Sequence, residues 1–333
     1  MKLWRERHTW LARNATHKLS NIQHKDVKSI AVIKHAAYGD LLCTRPFLIT
    51  LRQYFPQASI TFCAIRHYTR GIPEDLVDHI YIVSGKKDQK GFWYKFNEYK
   101  NLGSHDLLFD LTSSTPSFMM SLLSPASFRI GFQHRNIHKL VYDVAIPRAE
   151  YRFEAETFLE QLNILGLQYE LPLRYDLPVS AMHRPNPYVV YFPTASAINK
   201  SWPIGNFIQL IRQTAEQYPH YDHILLSGLA EWEFDLVDQA EKELSQHKNV
   251  FKLTASEKDA SLIKGACALV ANDTGIRHLG IAAGIPTVGI FFHATPFGYW
   301  PRFGRHEVVF ERDGSIPGVD KVKQALCMIL DKD

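Results

Sequence analysis

From Ser29 onward, short apolar and β-branched runs alternate with longer stretches whose apolar positions recur at helical spacing. That alternation is the pattern of a parallel sheet covered on both faces. It predicts strands at 29–33, 59–64, 107–110, 129–132 and 143–146, with helices near 40–54, 92–102, 116–123 and 151–165. Pro172, Pro178, Pro185 and Pro187 then exclude a continuous helix over 168–187 and mark an interdomain linker. A second alternating set predicts strands at 188–192, 223–227, 250–253, 268–271 and 287–291, with a helix after each of the first four and Pro203 in a first helical turn. The expected organisation is an extension over 1–28, a Rossmann-like domain over 29–170, a linker over 171–187, a second Rossmann-like domain over 188–316 and a terminal segment over 317–333. The fold class is α/β, with two doubly wound parallel sheets. Such sheets bind ligands beyond the carboxyl ends of their strands, and two facing halves place that crevice between them.

Ahead of the first strand, Trp4, Leu11, Ala15, Leu19 and Ile22 recur at spacings of seven, four, four and three, which predicts one helical face across residues 1–25. Lys and Arg lie mostly off that face. A tryptophan-bearing basic helix suits an anionic membrane surface; the other reading is an extension, solvated or docked on its own domain. Charge singles out the same segment. Residues 1–28 carry seven Lys/Arg against Glu6 and Asp26, whereas the rest of the chain carries 31 positive and 32 negative side chains. The net charge of +4 therefore comes from the head, and a body without excess positive charge argues against nucleic-acid binding. With 333 residues, 46% hydrophobic and 22% charged, the composition is that of a two-domain globular protein. Cys43, Cys63, Cys267 and Cys327 form no C-x-x-C pair, no apolar run approaches the length of a membrane span, and no signal-peptide core precedes the body. A cytoplasmic protein is expected.

Several common chemistries are removed by search. There is no G-x-G dinucleotide fingerprint and no G-x-x-x-x-G-K-[ST] phosphate loop, which disfavours dehydrogenases and P-loop enzymes. The sole D-x-D is Asp331-Lys332-Asp333 at the chain end, so no divalent-metal dependence is expected.

Three segments remain. The first strand runs into Lys34-His-Ala-Ala-Tyr-Gly39-Asp40 and a helix. Asp40 is there either as an N-cap or as a carboxylate able to take a hydroxyl proton, with Gly39 easing the turn. In the second half, Lys200 lies between a strand end and a helix start, placed for a phosphate or simply exposed. Glu231 follows another strand, as a ribose acceptor or as a glutamate favoured by a helix dipole. The run Asn272-Asp273-Thr274-Gly275-Ile-Arg-His278 reads as a polar turn opening a small-residue helix, suited to a diphosphate. Taken alone, His278 is also compatible with a packed, hydrogen-bonded core position.

Together these residues resemble the bacterial ADP-heptose:lipopolysaccharide heptosyltransferases, glycosyltransferase family 9. The resemblance runs from about Ser29 to Pro301 and rests on Ile33–Asp40 with Pro46 and Phe55-Pro56, on Asp106–Leu111 with Arg129-Ile-Gly-Phe132, on Lys200-Ser-Trp-Pro203, and on Asn272–Gly275 with His278 and Ala282–Pro286. It implies a GT-B fold, acceptor bound by the first domain and nucleotide sugar by the second, with the terminal helix packing back toward the first. It implies inverting transfer without metal or cofactor, from a nucleotide sugar such as ADP-heptose to the lipopolysaccharide core. By position, Asp40 becomes the catalytic base, Lys200 the diphosphate contact, Glu231 a nucleoside contact, and Asp273, Thr274, Gly275 and His278 the donor turn. Thr194, Ser196 and His293 fall in donor loops; Gly39, Lys34, Arg66, Arg70, Arg129, Arg135 and Lys139 are placed to meet acceptor phosphates and carboxylates. The chain departs from the family pattern at Phe192-Pro193-Thr194, Gly275-Ile276 and His293–Phe297, all on the donor side. A hexose donor, or a non-catalytic sugar-nucleotide or glycolipid binder on the same fold, are the alternatives. An inner-membrane acceptor makes a peripheral position on the cytoplasmic face the expected location.

Overall fold

The computed structural model describes all residues except 2, 4–6, 135, 257–258 and 332–333. The chain divides between Tyr175 and Asp176 into two units, each with its own parallel sheet.

The first unit runs β1 (Trp10–Leu11), α1 (Ala15–Ser20), β2 (Ser29–Ile33), α2 (Tyr38–Leu42), α3 (Arg45–Tyr54), β3 (Ser59–Ile65), β4 (His79–Val83), α4 (Phe92–Lys100), β5 (Leu107–Asp110), α5 (Thr115–Leu123), β6 (Phe128–Phe132), α6 (His138–Val141), β7 (Val144–Ile146) and α7 (Glu154–Asn163). Strand order is β1-β7-β6-β5-β2-β3-β4, parallel throughout except that β1 runs antiparallel to β7. The central strands are the most continuously apolar because helices cover them on both faces. The chain turns outward in both directions from the β2/β5 pair, so the topological switch point lies at the carboxyl ends of those two strands.

Two expectations change here. The predicted helix over 40–54 is two helices, because Pro46 in the first turn of α3 has no N–H to continue the α2 ladder and Thr44 turns its hydroxyl back onto the Leu41 carbonyl at 2.5 Å. The single amphipathic helix over 1–25 is replaced by β1, α1 and a 3-10 turn at His24–Asp26. Trp4 lies outside the described residues, but Ala15 and Leu19 of the predicted face are buried in the unit, and Trp10 packs edge-on against His138 at 5.8 Å.

The second unit runs β8 (Tyr188–Phe192), α8 (Ile204–Gln217), β9 (Asp222–Ser227), α9 (Glu231–Glu243), β10 (Val250–Thr254), α10 (Asp259–Lys264), β11 (Ala268–Asn272), α11 (Gly275–Ala282), β12 (Thr287–Ile290), β13 (His306–Val309) and α12 (Val319–Leu330). The all-parallel order β10-β9-β8-β11-β12-β13 puts a second switch point between β8 and β11. In the second unit's core α12 buries Val322, Leu326 and Ile329 with Val288, Ile290 and Val309, and Trp202 donates from Nε1 to the Pro317 carbonyl at 2.8 Å just before it.

The proline-rich stretch is pinned on both sides of the division. Arg45 Nε donates to the Tyr175 carbonyl at 2.6 Å in the first unit, whereas Met182 N–H bonds Ser261 and Lys264 Nζ bonds Val179 in the second. Among the described residues no helix is long and apolar enough to cross a membrane.

Candidate active site

At the switch point of the first unit the polar groups of β2 and β5 are tied to each other. The His35 N–H donates to Thr112 Oγ1 at 2.8 Å, and that hydroxyl donates to the Ile33 carbonyl at 3.3 Å. Asp110, the last residue of β5 and fully buried, accepts from the Thr112 and Ser113 N–H groups at 2.7 and 3.2 Å and from the Tyr142 hydroxyl at 2.5 Å. Burial pushes its carboxyl pKa up, and these hydrogen bonds oppose that rise. They also hold Ser113 in the left-handed region, at φ 60°. Tyr142 reaches Asp110 by crossing over Gly131, where a Cβ would lie 2.4 Å from its ring.

Asp40 stands at the third position of α2. The N-cap is Ala37, which supplies no side-chain cap, so Asp40 is a first-turn carboxylate and not the cap itself. It is half-buried behind the buried Gly39, where the helix dipole favours negative charge. His35, just beyond the end of β2, is held neutral, its pKa pushed down to about 4 by desolvation and by the charge of Lys34.

The basic candidates of this unit separate. Lys34 is not open to an acceptor: its side chain is 4% exposed, 3.4 Å from Glu154, and its ammonium sits 4.1 Å over the Phe158 ring. Arg148 pairs with the same glutamate. Arg129 lies opposite Leu108 near the amino ends of its strand pair, and it donates to the Ser124 carbonyl at 2.6 Å, away from the Asp40 edge. Lys139 is exposed on α6, and Arg135 lies outside the described residues. Arg66 and Arg70 are exposed just past the carboxyl end of β3, and Arg70 stacks 4.6 Å over the Tyr38 ring at the start of α2. A cavity of about 510 Å³ on the α3 side, lined by Pro46, Thr50, Tyr54 and residues 168–174, includes none of the candidates.

In the second unit Asn272, fully buried at the end of β11, donates to the Pro193 carbonyl and accepts from the Trp202 N–H, both at 2.8 Å. It thereby fixes the β8 loop against the β11 turn. Thr274 is the N-cap of α11, accepting from the Arg277 N–H at 3.4 Å, which leaves its own hydroxyl proton and the first-turn amides of Gly275 and Ile276 pointing off the helix end. Asp273 is half-buried in the same turn. His278 is 5% exposed, lies edge-on to Tyr299 at 5.2 Å, and has its pKa pushed down to about 3 by desolvation and the Arg277 charge. It is a packed, neutral histidine of α11.

Lys200 closes a 3-10 turn at Ile198–Lys200 and is exposed, like Ser196 and His293. Thr194 is buried and donates to Glu233 at 2.6 Å; the other oxygen of Glu233 accepts from the Ala230 N–H at 2.9 Å. Glu231 is the exposed first residue of α9. Sequence reasoning missed Glu233 because its capping box opens on Ala230, where no Ser or Thr announces it. It also missed Arg277, fully buried, donating to the Tyr299 carbonyl at 2.8 Å and lying over Gly289, where a Cβ would meet its Nε at 2.2 Å.

The sequence is 23% identical to lipopolysaccharide heptosyltransferase 3 of Escherichia coli (strain K12), over 79% of this chain and 82% of that one. It is 22% identical to the lipopolysaccharide core heptosyltransferase OpsX of Haemophilus influenzae, over 81% and 80%. The solved E. coli heptosyltransferase WaaC with ADP-2-deoxy-2-fluoro heptose superposes with a TM-score of 0.72 at 18% identity, covering 91% of this chain and 99% of that one. Two Rossmann-like units with these parallel sheets are the GT-B fold of the solved heptosyltransferases. The model of glycosyltransferase family 9 (heptosyltransferase) matches residues 97–327, and the chain belongs to that family.

Proposed function

We propose that this enzyme moves heptose from ADP-heptose onto the inner core of lipopolysaccharide, with inversion at the anomeric carbon, at the cytoplasmic face of the inner membrane. The names of the two curated relatives and the ADP-heptose analogue bound to E. coli WaaC support donor and acceptor class. The observation that carries the chemistry is Asp40, a carboxylate at a strand-end switch point that is not consumed as a helix cap.

In this reading Asp40 takes the proton of an acceptor hydroxyl as its oxygen attacks the anomeric carbon. A carbon–oxygen bond forms there while the bond to the diphosphate breaks on the opposite face. The departing charge is met by Lys200, the Thr274 hydroxyl and the Gly275 and Ile276 amides at the start of α11. Glu231 binds the nucleoside, and Asp273 with the exposed loop residues Ser196 and His293 borders the donor. Arg66 and Arg70 meet anionic groups of the acceptor.

The deciding experiment incubates the protein with ADP-heptose and with ADP- and UDP-hexoses over a series of truncated lipooligosaccharides, and reads the products by mass. A product heavier by one heptose, formed from ADP-heptose alone, is expected. Transfer from a hexose donor only, or donor binding without transfer to any acceptor, overturns the assignment.

A further inference from the structure

The inner side of α4 is fixed to its unit. Tyr99 is buried with Leu102, Leu108 and Met120, Glu98 accepts from the N–H and hydroxyl of Ser84 at 3.0 Å each, and the Tyr81 hydroxyl donates to the Glu98 carbonyl at 2.6 Å. Its opening turn faces solvent. Phe92, Trp93 and Tyr94 are 68%, 73% and 48% exposed. The rings of Phe92, Trp93 and Phe96 lie 5.4 to 6.2 Å apart, so the aromatics form one continuous surface. A single exposed apolar side chain needs no explanation, but adjacent large aromatics do.

Cations surround them. Lys86, Lys87 and Lys90 are exposed in the approach to the helix, Lys90 sits 5.0 Å over the Tyr94 ring, and Lys95 and Lys100 follow. The acidic residues of this stretch are engaged: Asp88 accepts from the Gly85 N–H at 2.6 Å and lies 3.4 Å from His67, and Glu98 is held by Ser84.

We propose that α4 docks the enzyme on an anionic phospholipid bilayer, with Phe92, Trp93 and Tyr94 at headgroup level and the flanking lysines on lipid phosphates. Aromatics with an apolar body and a polar edge settle at that interface, and lysines beside them add electrostatic attraction to anionic lipid. Charge complementarity selects this occupant, because a second copy of the chain would bring the same lysines against each other. The patch follows β4 at the carboxyl edge of the sheet, the edge that carries Asp40. Contacts connect the two: Asp88 meets His67 beside Arg66, and Arg70 lies over Tyr38, which opens the helix of Asp40. The surface deepens the proposed function, since docking serves an acceptor anchored in lipid, but its binding is measured without the reaction.

The test is cosedimentation of the full chain with vesicles of phosphatidylglycerol and phosphatidylethanolamine, against phosphatidylcholine alone. Wild type is expected to bind the anionic vesicles and to be released by salt. The pair Phe92→Ser with Trp93→Ser, and separately the triple Lys86→Glu, Lys87→Glu and Lys90→Glu, should weaken binding about tenfold or more. Urea midpoints and transfer to a deacylated, water-soluble core should stay at wild-type values. Trp93→Phe should keep binding while losing most of the emission quenching by brominated acyl chains. Wild type that ignores anionic vesicles, variants that bind them equally well, or lipid-free wild type that sediments as a dimer and loses it in the aromatic variant would each overturn the proposal. Vesicle binding together with no transfer from any donor would remove the heptosyltransferase reading and leave the docking surface standing.

Discussion

Asp40 and Lys34 lie six residues apart beyond the end of β2, yet their surroundings assign them opposite work. Asp40 keeps its oxygens off the helix cap and stands in the first turn of α2; Lys34 is enclosed between Glu154, the Leu111 carbonyl and the Phe158 ring. Replacing Asp40 with Asn should therefore lower kcat for transfer by about 10² to 10⁴, the range of a positioned base, while the donor Kd from calorimetry stays within about twofold. Unchanged turnover would remove the role. For the ion pair the outcome is a stability order. Glu154→Ala strands a buried ammonium and should cost about 3 to 5 kcal/mol in urea unfolding. Lys34→Met should cost less, because Arg148 still neutralises Glu154. The reverse order would mean that Lys34 is not held by this pair.

At the scale of elements, the donor-side loops are organised by residues that need never touch a donor. Asn272 bonds the β8 loop to the β11 turn, and Glu233 joins Thr194 of that loop to the start of α9. The two first-turn glutamates of α9 are separable on this basis. Glu233→Ala loses a cap, about 1 kcal/mol, and releases Thr194, so both stability and donor affinity should fall. Glu231→Ala removes an exposed first-turn side chain; stability should hold within about 0.5 kcal/mol, while the donor Kd rises if Glu231 meets the nucleoside. Paired urea titrations and donor-binding isotherms check this, and a Glu231→Ala protein with unchanged affinity would transfer the nucleoside contact elsewhere.

For the molecule as a whole, the sheet architecture was legible because buried parallel strands are written as unbroken apolar runs, as in Ile30–Ile33 and Leu107–Phe109. The edge strands β4 and β13 were not, although the edge strand β10 was: β4 is half-exposed and β13 is only partly buried, so neither rises above its flanks. The turns at Asp40 and Thr274 were readable from spacing, whereas Lys34, Arg129 and His278 are decided by partners distant in sequence that no local pattern reveals. The same long-range burial depresses the pKa of six histidines, four of them strongly. His35 and His223 are pushed down to about 4, and His278 and His306 to about 3, mainly by desolvation, with the Lys34 charge adding at His35 and the Arg277 charge at His278 and His306. In the unfolded chain each returns toward its ordinary value near 6.5. As pH falls through that value the unfolded chain takes up protons that the folded chain refuses, so stability is complete above it and declines toward the folded pKa values. Between about pH 7 and about pH 5.5 each such histidine should remove about 1 kcal/mol. The buried Asp110, whose pKa is raised, works in the opposite direction and moderates the fall at the acid end. Urea midpoints at the two pH values should differ accordingly, and His306→Gln should shrink the difference by about 1 kcal/mol. Stability that is flat across this interval would mean that these side chains titrate normally and that the packing around α11 and β13 is looser than described.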